Sequence, residues 1–330
     1  MKRRPGVQTY TRDSFDLETL VELKKARLAK SMPGTVSVVI PARNCERTIG
    51  DIVDKLRVDL MERFALIDEI LVIDHDSTDA TAHEAVHAGA RVIAFADAAP
   101  LETVEDCGKG TVMRKGVFAA KGDIIVFADG DHTRFDSFKV WRLLGPLLSN
   151  QRVVFVKAFY EGYAGGRTTE AMARPVLSLL HPELAALQQP LTGEQAGLRS
   201  VFSEIRFPYG WGTEYRILDQ IARKYGASRI AQVDVEYKEH ESGDARHINR
   251  QAFELLHAAL RSAFAEANME MPPHWGSTVL MPGPEVGTVL SVPARILEWP
   301  PLNSVKGYKR HRPDRLLTLT EQFTAPAVSE

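Results

Sequence analysis

The sequence predicts an α/β fold, a mainly parallel sheet flanked by helices on both faces. Three observations carry that prediction. Short β-branched apolar runs alternate with segments of helical period from residue 35 to about residue 160. These apolar runs, such as Val36–Ile40 and Ile124–Ala128, are strand-sized and far shorter than a membrane-spanning helix. Polar turns follow the runs again and again, at the strand ends where open α/β sheets collect their ligands.

Taken in order, Thr35–Ile40 is the first strand and Pro41–Asn44 the turn after it. Ile49, Ile52, Val53, Leu56 and Leu60 then recur at helical spacing. Glu69–Ile73 is a second buried strand. It ends in Asp74–Asp79, whose Asp and Ser side chains can accept the orphan amides of a helix opening near Ala80. Arg91–Ala94 is a short third strand, Gly108–Ala120 a loop and helix, and Asp123–Ala128 a fourth strand. Phe135–Leu148 reads as a helix and Arg152–Lys157 as a fifth strand. Right-handed crossovers between such strands put helices on both faces.

Beyond residue 160 the pattern changes. Thr168–Leu180 is helical in content but interrupted by Pro175, whereas Gly212–Tyr225 and Asn249–Ala267 are clearer helices and Ile230–Tyr237 is strand-like. Seven of the 18 prolines fall between Met271 and Pro301, which opposes regular core structure and predicts an extended arm or covering segment. The expected organisation is an N-terminal extension over 1–34, an α/β region over 35–160, a continuation of the same unit over 161–268, and a proline-rich arm and tail over 269–330.

The 330 residues carry 41 Lys plus Arg against 43 Asp plus Glu, a formal charge of −2 that argues against bulk binding of nucleic acid. A local basic pocket remains compatible with it. Hydrophobic residues at 44% and charged ones at 25% are ordinary globular values, which exclude wholesale disorder and a membrane-spanning class. Cys45 and Cys107 have no paired spacing and read as two reduced thiols. Met1-Lys2-Arg3-Arg4-Pro5 is not followed by an apolar segment, so no secretory leader is expected and the cytoplasm is the default location. Lys306, Lys309, Arg310, Arg312 and Arg315 read as a solvated tail.

Several constellations carry chemistry. Asp129-Gly130-Asp131 directly follows the fourth strand, and two carboxylates one residue apart can hold a divalent cation beside a diphosphate. Gly108-Lys109-Gly110 opens a helix, where dipole, amides and ammonium act together on an anion. Gly165-Gly166-Arg167-Thr168-Thr169 combines exposed amides, a bidentate guanidinium and two hydroxyls, and forms a second anion candidate after the fifth strand. His240 is the imidazole expected to complete a metal site with Asp131. Glu194 and Glu214 can bind sugar hydroxyls, or serve as buried hydrogen-bonding carboxylates.

These segments together resemble the glucosyl-3-phosphoglycerate and mannosyl-3-phosphoglycerate synthases, a retaining glycosyltransferase family with the Rossmann-like GT-A fold. The resemblance runs from about Val36 to His240. It includes PAR–N at 41–44, IDHDSTDAT at 73–81, GKG at 108–110 and DGD at 129–131. It continues through VKAFY at 156–160, GGRTTE at 165–170, QPLTGE at 189–194 and YGWGTE at 209–214. It implies transfer of mannose or glucose from a nucleotide sugar (GDP-mannose, or GDP- or UDP-glucose) to the 2-hydroxyl of 3-phosphoglycerate. The implied metal is divalent, Mg²⁺ first, with Mn²⁺ or Co²⁺ as alternatives. No nucleic-acid or membrane partner is expected, and the proline-rich arm and the final amphipathic helix point to a homodimer. Residues 35–160 would take the nucleotide sugar and 161–268 the acceptor.

Residue by residue, the resemblance makes Asp131 and His240 metal ligands. Pro41, Ala42, Arg43, Asn44, Asp74, His75, Lys109, Asp129 and Gly130 become the donor-nucleotide site. Gly165, Gly166, Arg167, Thr168 and Thr169 become the acceptor site, with Glu194 and Glu214 toward the donor sugar. Asp131, Glu214 and Lys109 are the residues expected to act in catalysis, through front-face attack at the metal-bound donor. Two positions depart from the family, which has leucine where Arg43 stands and serine where His75 stands. Both flank the base, and a guanine-bearing donor, which fits mannose, is the expectation there. The competing reading is an inverting GT-A transferase acting on a lipid-phosphate or polysaccharide acceptor.

Overall fold

The computed structural model describes residues 6–98, 108–161, 166–237, 245–273, 275–283, 285, 287–305 and 308. The chain begins with β1 (Gln8–Tyr10), α1 (Leu17–Ala29), β2 (Val36–Ala42), α2 (Ile49–Lys55), β3 (Glu69–Asp74), α3 (Thr81–His87) and β4 (Arg91–Ala94). Next come α4 (Lys109–Ala119), β5 (Ile124–Phe127), α5 (Phe138–Ser149), β6 (Phe155–Phe159), α6 (Arg174–Leu180), β7 (Gln195–Leu198) and α7 (Arg199–Ser203). It closes with β8 (Phe207–Pro208), α8 (Thr213–Tyr225), β9 (Ile230–Asp234), α9 (Ala245–Glu266), β10 (Thr278–Pro282), β11 (Val289–Pro293) and β12 (Glu298–Trp299).

Eight strands form one sheet in the order β1-β9-β6-β7-β5-β2-β3-β4. All neighbours are parallel except β7, which runs antiparallel to both β5 and β6. The expected α/β architecture is therefore the observed one. Helices cover both faces, so the central strands must be apolar on both sides. Accordingly β5, β6 and β9 are buried along their whole length.

The structure differs from expectation in instructive places. Gln195–Leu198 has no β-branched residue and no alternation, yet it is a central strand, because the neighbouring strands supply its hydrogen bonds. Gly197 keeps the strand close to its neighbour: a Cβ would lie 3.0 Å from the Phe202 ring, a tight contact. Within 1–34, β1 extends the sheet beside β9 and α1 packs on α5. Pro175 does not interrupt its helix. It sits in the first turn of α6, where a missing N–H costs nothing, after a π-wound turn over Thr169–Ala173.

The proline-rich arm is only partly an extended cover. It forms an antiparallel hairpin, β10–β11, with Pro282 and Pro293 at the strand ends. It then adds β12 to β8 and buries Trp299 to 6% exposure. Cys45 is a buried thiol whose pKa burial pushes up to about 11. Cys107, Gly165, His240 and the basic positions Lys306, Lys309, Arg310, Arg312 and Arg315 lie outside the described residues. Among the described residues, no helix is long and apolar enough to cross a membrane.

Candidate active site

The polar loops that follow β2, β3 and β5 meet on one edge of the sheet because these strands are adjacent and parallel. Ala42 is paired with Asp74, and the His75 N–H donates to the Ala42 carbonyl at 2.8 Å, which ties the first two loops together. The Asp129–Asp131 loop lies against them: the Thr48 hydroxyl donates to the Gly130 carbonyl at 2.7 Å. These loops form one wall of a cleft of about 790 Å³.

Pro41, Ala42, Arg43, His75, Lys109, Asp129, Gly130 and Asp131 all line this cleft. So do Gly166, Arg167, Thr168, Thr169 and Glu214 from the second half of the chain. Residues far apart in sequence thus reach one volume.

Lys109 lines the cleft between two carboxylates. Gly110 presses so closely on β8 that a Cβ would stand 1.9 Å from the Pro208 carbonyl oxygen, and this seats the start of α4. From there the Lys109 ammonium reaches Asp129 Oδ1 at 2.8 Å and Glu214 Oε1 at 3.4 Å. Burial alone would lower its pKa, but the Asp129 and Glu214 carboxylates outweigh burial and raise it, so the lysine is charged. Gly193 leaves room for this pair, since a Cβ would fall 2.4 Å from the Lys109 nitrogen and 2.8 Å from Asp129 Oδ1.

Asp131 is held differently. Its side chain faces the cleft, and no hydrogen bond or ion pair joins it to another described residue. A carboxylate without a protein cation, one residue from a second carboxylate, suits a hard divalent ion. Among the described residues no cluster of three or more His, Cys, Asp or Glu is formed. Asp129 is itself paired with Lys109, so Asp131 is the carboxylate of this loop left open to the cleft.

Asp74 ends β3 with its Oδ1 buried and unpaired among the described residues, an acceptor aimed at no protein donor. His75 packs against Phe95, the rings tilted by 43° with centroids 4.7 Å apart. Burial first, then the charge of Arg43, lowers its pKa, so the imidazole is neutral at neutral pH.

Three expected site residues, Asp74, Asn44 and Glu194, are not among those that line the cleft. Asn44, at φ 54°, accepts the Thr78 N–H on Oδ1 at 2.9 Å and so pins two loops together. Glu194 is 1% exposed. Its Oε1 meets His132 Nε2 at 2.7 Å, and the Tyr160 hydroxyl donates to its Oε2 at 2.6 Å. Burial would raise the Glu194 pKa, but the His132 hydrogen bond and the Lys139 charge keep it low. Glu194 accordingly fixes His132 and Tyr160, which do line the cleft.

Other lining residues were missed in the sequence: His132, Tyr160, Trp211, His247, Gln251 and Arg295. His132 directly follows Asp131, and Trp211 lies inside YGWGTE, so both were within reach of a motif reading. Arg295 comes from the proline-rich arm and had no local signal. Its backbone N–H donates to Glu254 Oε1 at 2.8 Å.

Comparison with known proteins gives a consistent answer. The sequence profile described as "Glycosyl transferase family 2" matches residues 37–213. The glucosyl-3-phosphoglycerate synthase of Petrotoga mobilis is 35% identical over 306 residues, 89% of this chain and 92% of the relative. That of Mycolicibacterium smegmatis is 39% identical over 234 residues, 68% of this chain and 75% of the relative. The crystal structure of mannosyl-3-phosphoglycerate synthase from Rubrobacter xylanophilus superposes with a TM-score of 0.81 at 32% identity, covering 90% of this chain and 97% of that one. Glucosyl-3-phosphoglycerate synthase from Mycobacterium tuberculosis, in complex with Mn²⁺, UDP-glucose and phosphoglyceric acid, gives a TM-score of 0.77 at 31% identity, covering 91% of this chain and 98% of that one.

Proposed function

The chain belongs to the glucosyl-3-phosphoglycerate and mannosyl-3-phosphoglycerate synthases, within the family 2 glycosyl transferases, and from this we infer that it moves a hexose from a nucleotide sugar to 3-phosphoglycerate. The observation that carries this reading is Lys109. Its half-buried ammonium lies between Asp129 and Glu214, in a cleft that Asp131 and Arg167 also line. Such a cleft suits two anionic substrates brought together. An inverting transferase acting on a lipid-phosphate or polysaccharide acceptor is not favoured.

Each residue has a task in that reaction. Asp131 and His240 would hold the divalent cation, which when bound would neutralise charge growing on the leaving diphosphate; Asp129 would lie toward the nucleotide ribose. Lys109 adds a fixed positive charge to the same oxygens, which is electrostatic stabilisation of the departing group. Glu214 accepts hydroxyls of the donor sugar. Gly165, Gly166, Arg167 and Thr169 grip the acceptor phosphate, with the guanidinium binding in bidentate fashion. The acceptor's 2-hydroxyl attacks on the face the diphosphate leaves, and the donor phosphate takes its proton, so configuration is retained. The working division is therefore donor binding by 35–160 and acceptor binding by 161–268, in a homodimer, with Mg²⁺ as the working ion.

Donor choice rests on Asp74, Arg43 and His75. The unpaired Asp74 Oδ1 accepts an N–H of the base. Arg43 offers donors that match the O6 and N7 acceptors of guanine, so a guanine nucleotide is the favoured donor.

The test is nucleoside diphosphate release from GDP- and UDP-sugars, each with and without 3-phosphoglycerate, across Mg²⁺ and Mn²⁺. Release that requires 3-phosphoglycerate supports the reading, and equal release without it overturns it. A strong UDP preference overturns the base assignment alone.

A further inference from the structure

Helix α9 turns a mixed polar and apolar face toward the cleft. His247, Gln251 and Leu255 recur four residues apart and all line it. The helix is anchored rather than loosely laid. Glu254, 2% exposed, accepts the Trp211 N–H at 2.6 Å, the Arg295 N–H at 2.8 Å and Arg250 Nε at 2.9 Å. Gly210 makes room for that carboxylate, because a Cβ would lie 2.0 Å from its Oε2.

Gln251 joins this fixed helix to the loop that carries Arg167. The Thr168 hydroxyl donates to Gln251 Oε1 at 3.1 Å. The other arm of the amide, Nε2, meets His247 Nε2 at 2.8 Å. With Oε1 committed to Thr168, the amide nitrogen is the arm that faces His247 Nε2. Trp211 closes the chain from the other side, its ring edge-on to His247 with centroids 4.7 Å apart at 76°. Thr168 is itself 8% exposed and stands between Arg167 and Thr169.

We propose that Gln251 is a positioning residue for the acceptor. By holding Thr168 on one side and His247 on the other, it keeps the loop of Arg167 and Thr169 in its binding geometry before the acceptor arrives. A loop held in place loses less freedom on binding, and the difference appears as affinity. Gln251 does not touch the reacting atoms, so its effect falls on acceptor KM and leaves kcat. The inference rests on the acceptor reading of Gly166, Arg167 and Thr169 given above.

The experiment is steady-state kinetics with 3-phosphoglycerate varied at saturating donor. It compares Gln251→Leu, Thr168→Val, their double variant, Thr168→Ser and Arg167→Ala. Gln251→Leu and Thr168→Val are each expected to raise acceptor KM about three- to tenfold, the effect of one lost hydrogen bond. In both, kcat and donor KM stay within about twofold of the parent. Because both break the Thr168–Gln251 bond, and Gln251→Leu also removes the contact to His247, the double variant is expected to be no worse than Gln251→Leu. Thr168→Ser keeps the hydroxyl and restores the parental KM. The proposal is overturned if acceptor KM is unchanged in Gln251→Leu, if the two effects multiply, or if kcat and donor KM fall together. Arg167→Ala separates the two levels. A raised acceptor KM there with none in Gln251→Leu overturns the Gln251 role alone. No rise in either overturns the acceptor reading as well.

Discussion

Asp131 and Lys109 carry opposite charges a few residues' reach apart, and the protein satisfies only one of them. Lys109 is neutralised internally by Asp129 and Glu214, so it stays charged and fixed whether or not a ligand is present. Asp131 makes no hydrogen bond or ion pair with another described residue, and in the proposed mechanism it takes the cation. Asp131→Ala is therefore expected to abolish metal-dependent transfer without loss of folding, read as nucleoside diphosphate release over a Mn²⁺ titration. Near-parental turnover in that variant would remove Asp131 from the metal seat. Arg167→Ala is expected to lower acceptor kcat/KM by about ten- to a hundredfold, the worth of hydrogen bonds to a charged group, with donor KM unchanged. The residues of this cleft were legible in the sequence where they sit in motifs beside strand ends. Glu194 shows the limit: the motif marks it, but only the fold reveals that it faces His132 and Tyr160 instead of the cleft.

Elements were legible where burial and periodicity coincide, as in β2, β3 and β5. They were not where pairing alone makes the strand, as in β7, or where prolines mask it, as in the arm. The arm's hold on the rest is specific. Trp299 stacks on Tyr209 at 4.6 Å and donates its indole N–H to the Thr111 hydroxyl at 2.9 Å. Arg114, fully buried, donates from Nε and its terminal nitrogen to the Pro300 carbonyl at 3.2 and 3.0 Å. Both contacts land on α4, the helix that carries Lys109. Trp299→Ala is expected to cost about 3–5 kcal/mol, as for other buried tryptophans, measured by urea denaturation. A shift below about 1 kcal/mol would mean that the arm covers the surface without supporting it.

Across the whole molecule, a formal charge of −2 conceals strong separation. Far along α8, the fully buried Asp219 accepts from Arg216 at 2.6 Å, Ser262 at 2.6 Å, and both His181 and Arg223 at 2.7 Å. Burial would raise its pKa, but these hydrogen bonds, His181 first, lower it. Stability from a lowered carboxylate pKa is present above its unfolded value of about 3.9 and lost as pH falls. His181 shifts the other way: burial lowers its pKa, but hydrogen bonds to Asp219 and Glu183 raise it on balance. Its contribution is complete below about pH 6.5 and fades as pH rises through the raised value. This cluster therefore stabilises most between about pH 4.5 and 6.5. In urea denaturation across pH, Asp219→Asn is expected to flatten the acid limb, and an unchanged slope below pH 4 would show that acid stability is set elsewhere.

By itself the sequence determined the parallel α/β sheet, the edge where its polar loops gather, and the motifs that carry the charge. Those follow from periodicity and local turn chemistry, which act over a few residues. The tertiary structure alone decided which of the marked residues face the cleft. It also decided that Arg295, His247 and Gln251 join them and that the proline-rich arm is partly core. These outcomes depend on strand pairing and on close glycine contacts between segments distant in the chain, and a local pattern carries no record of such contacts.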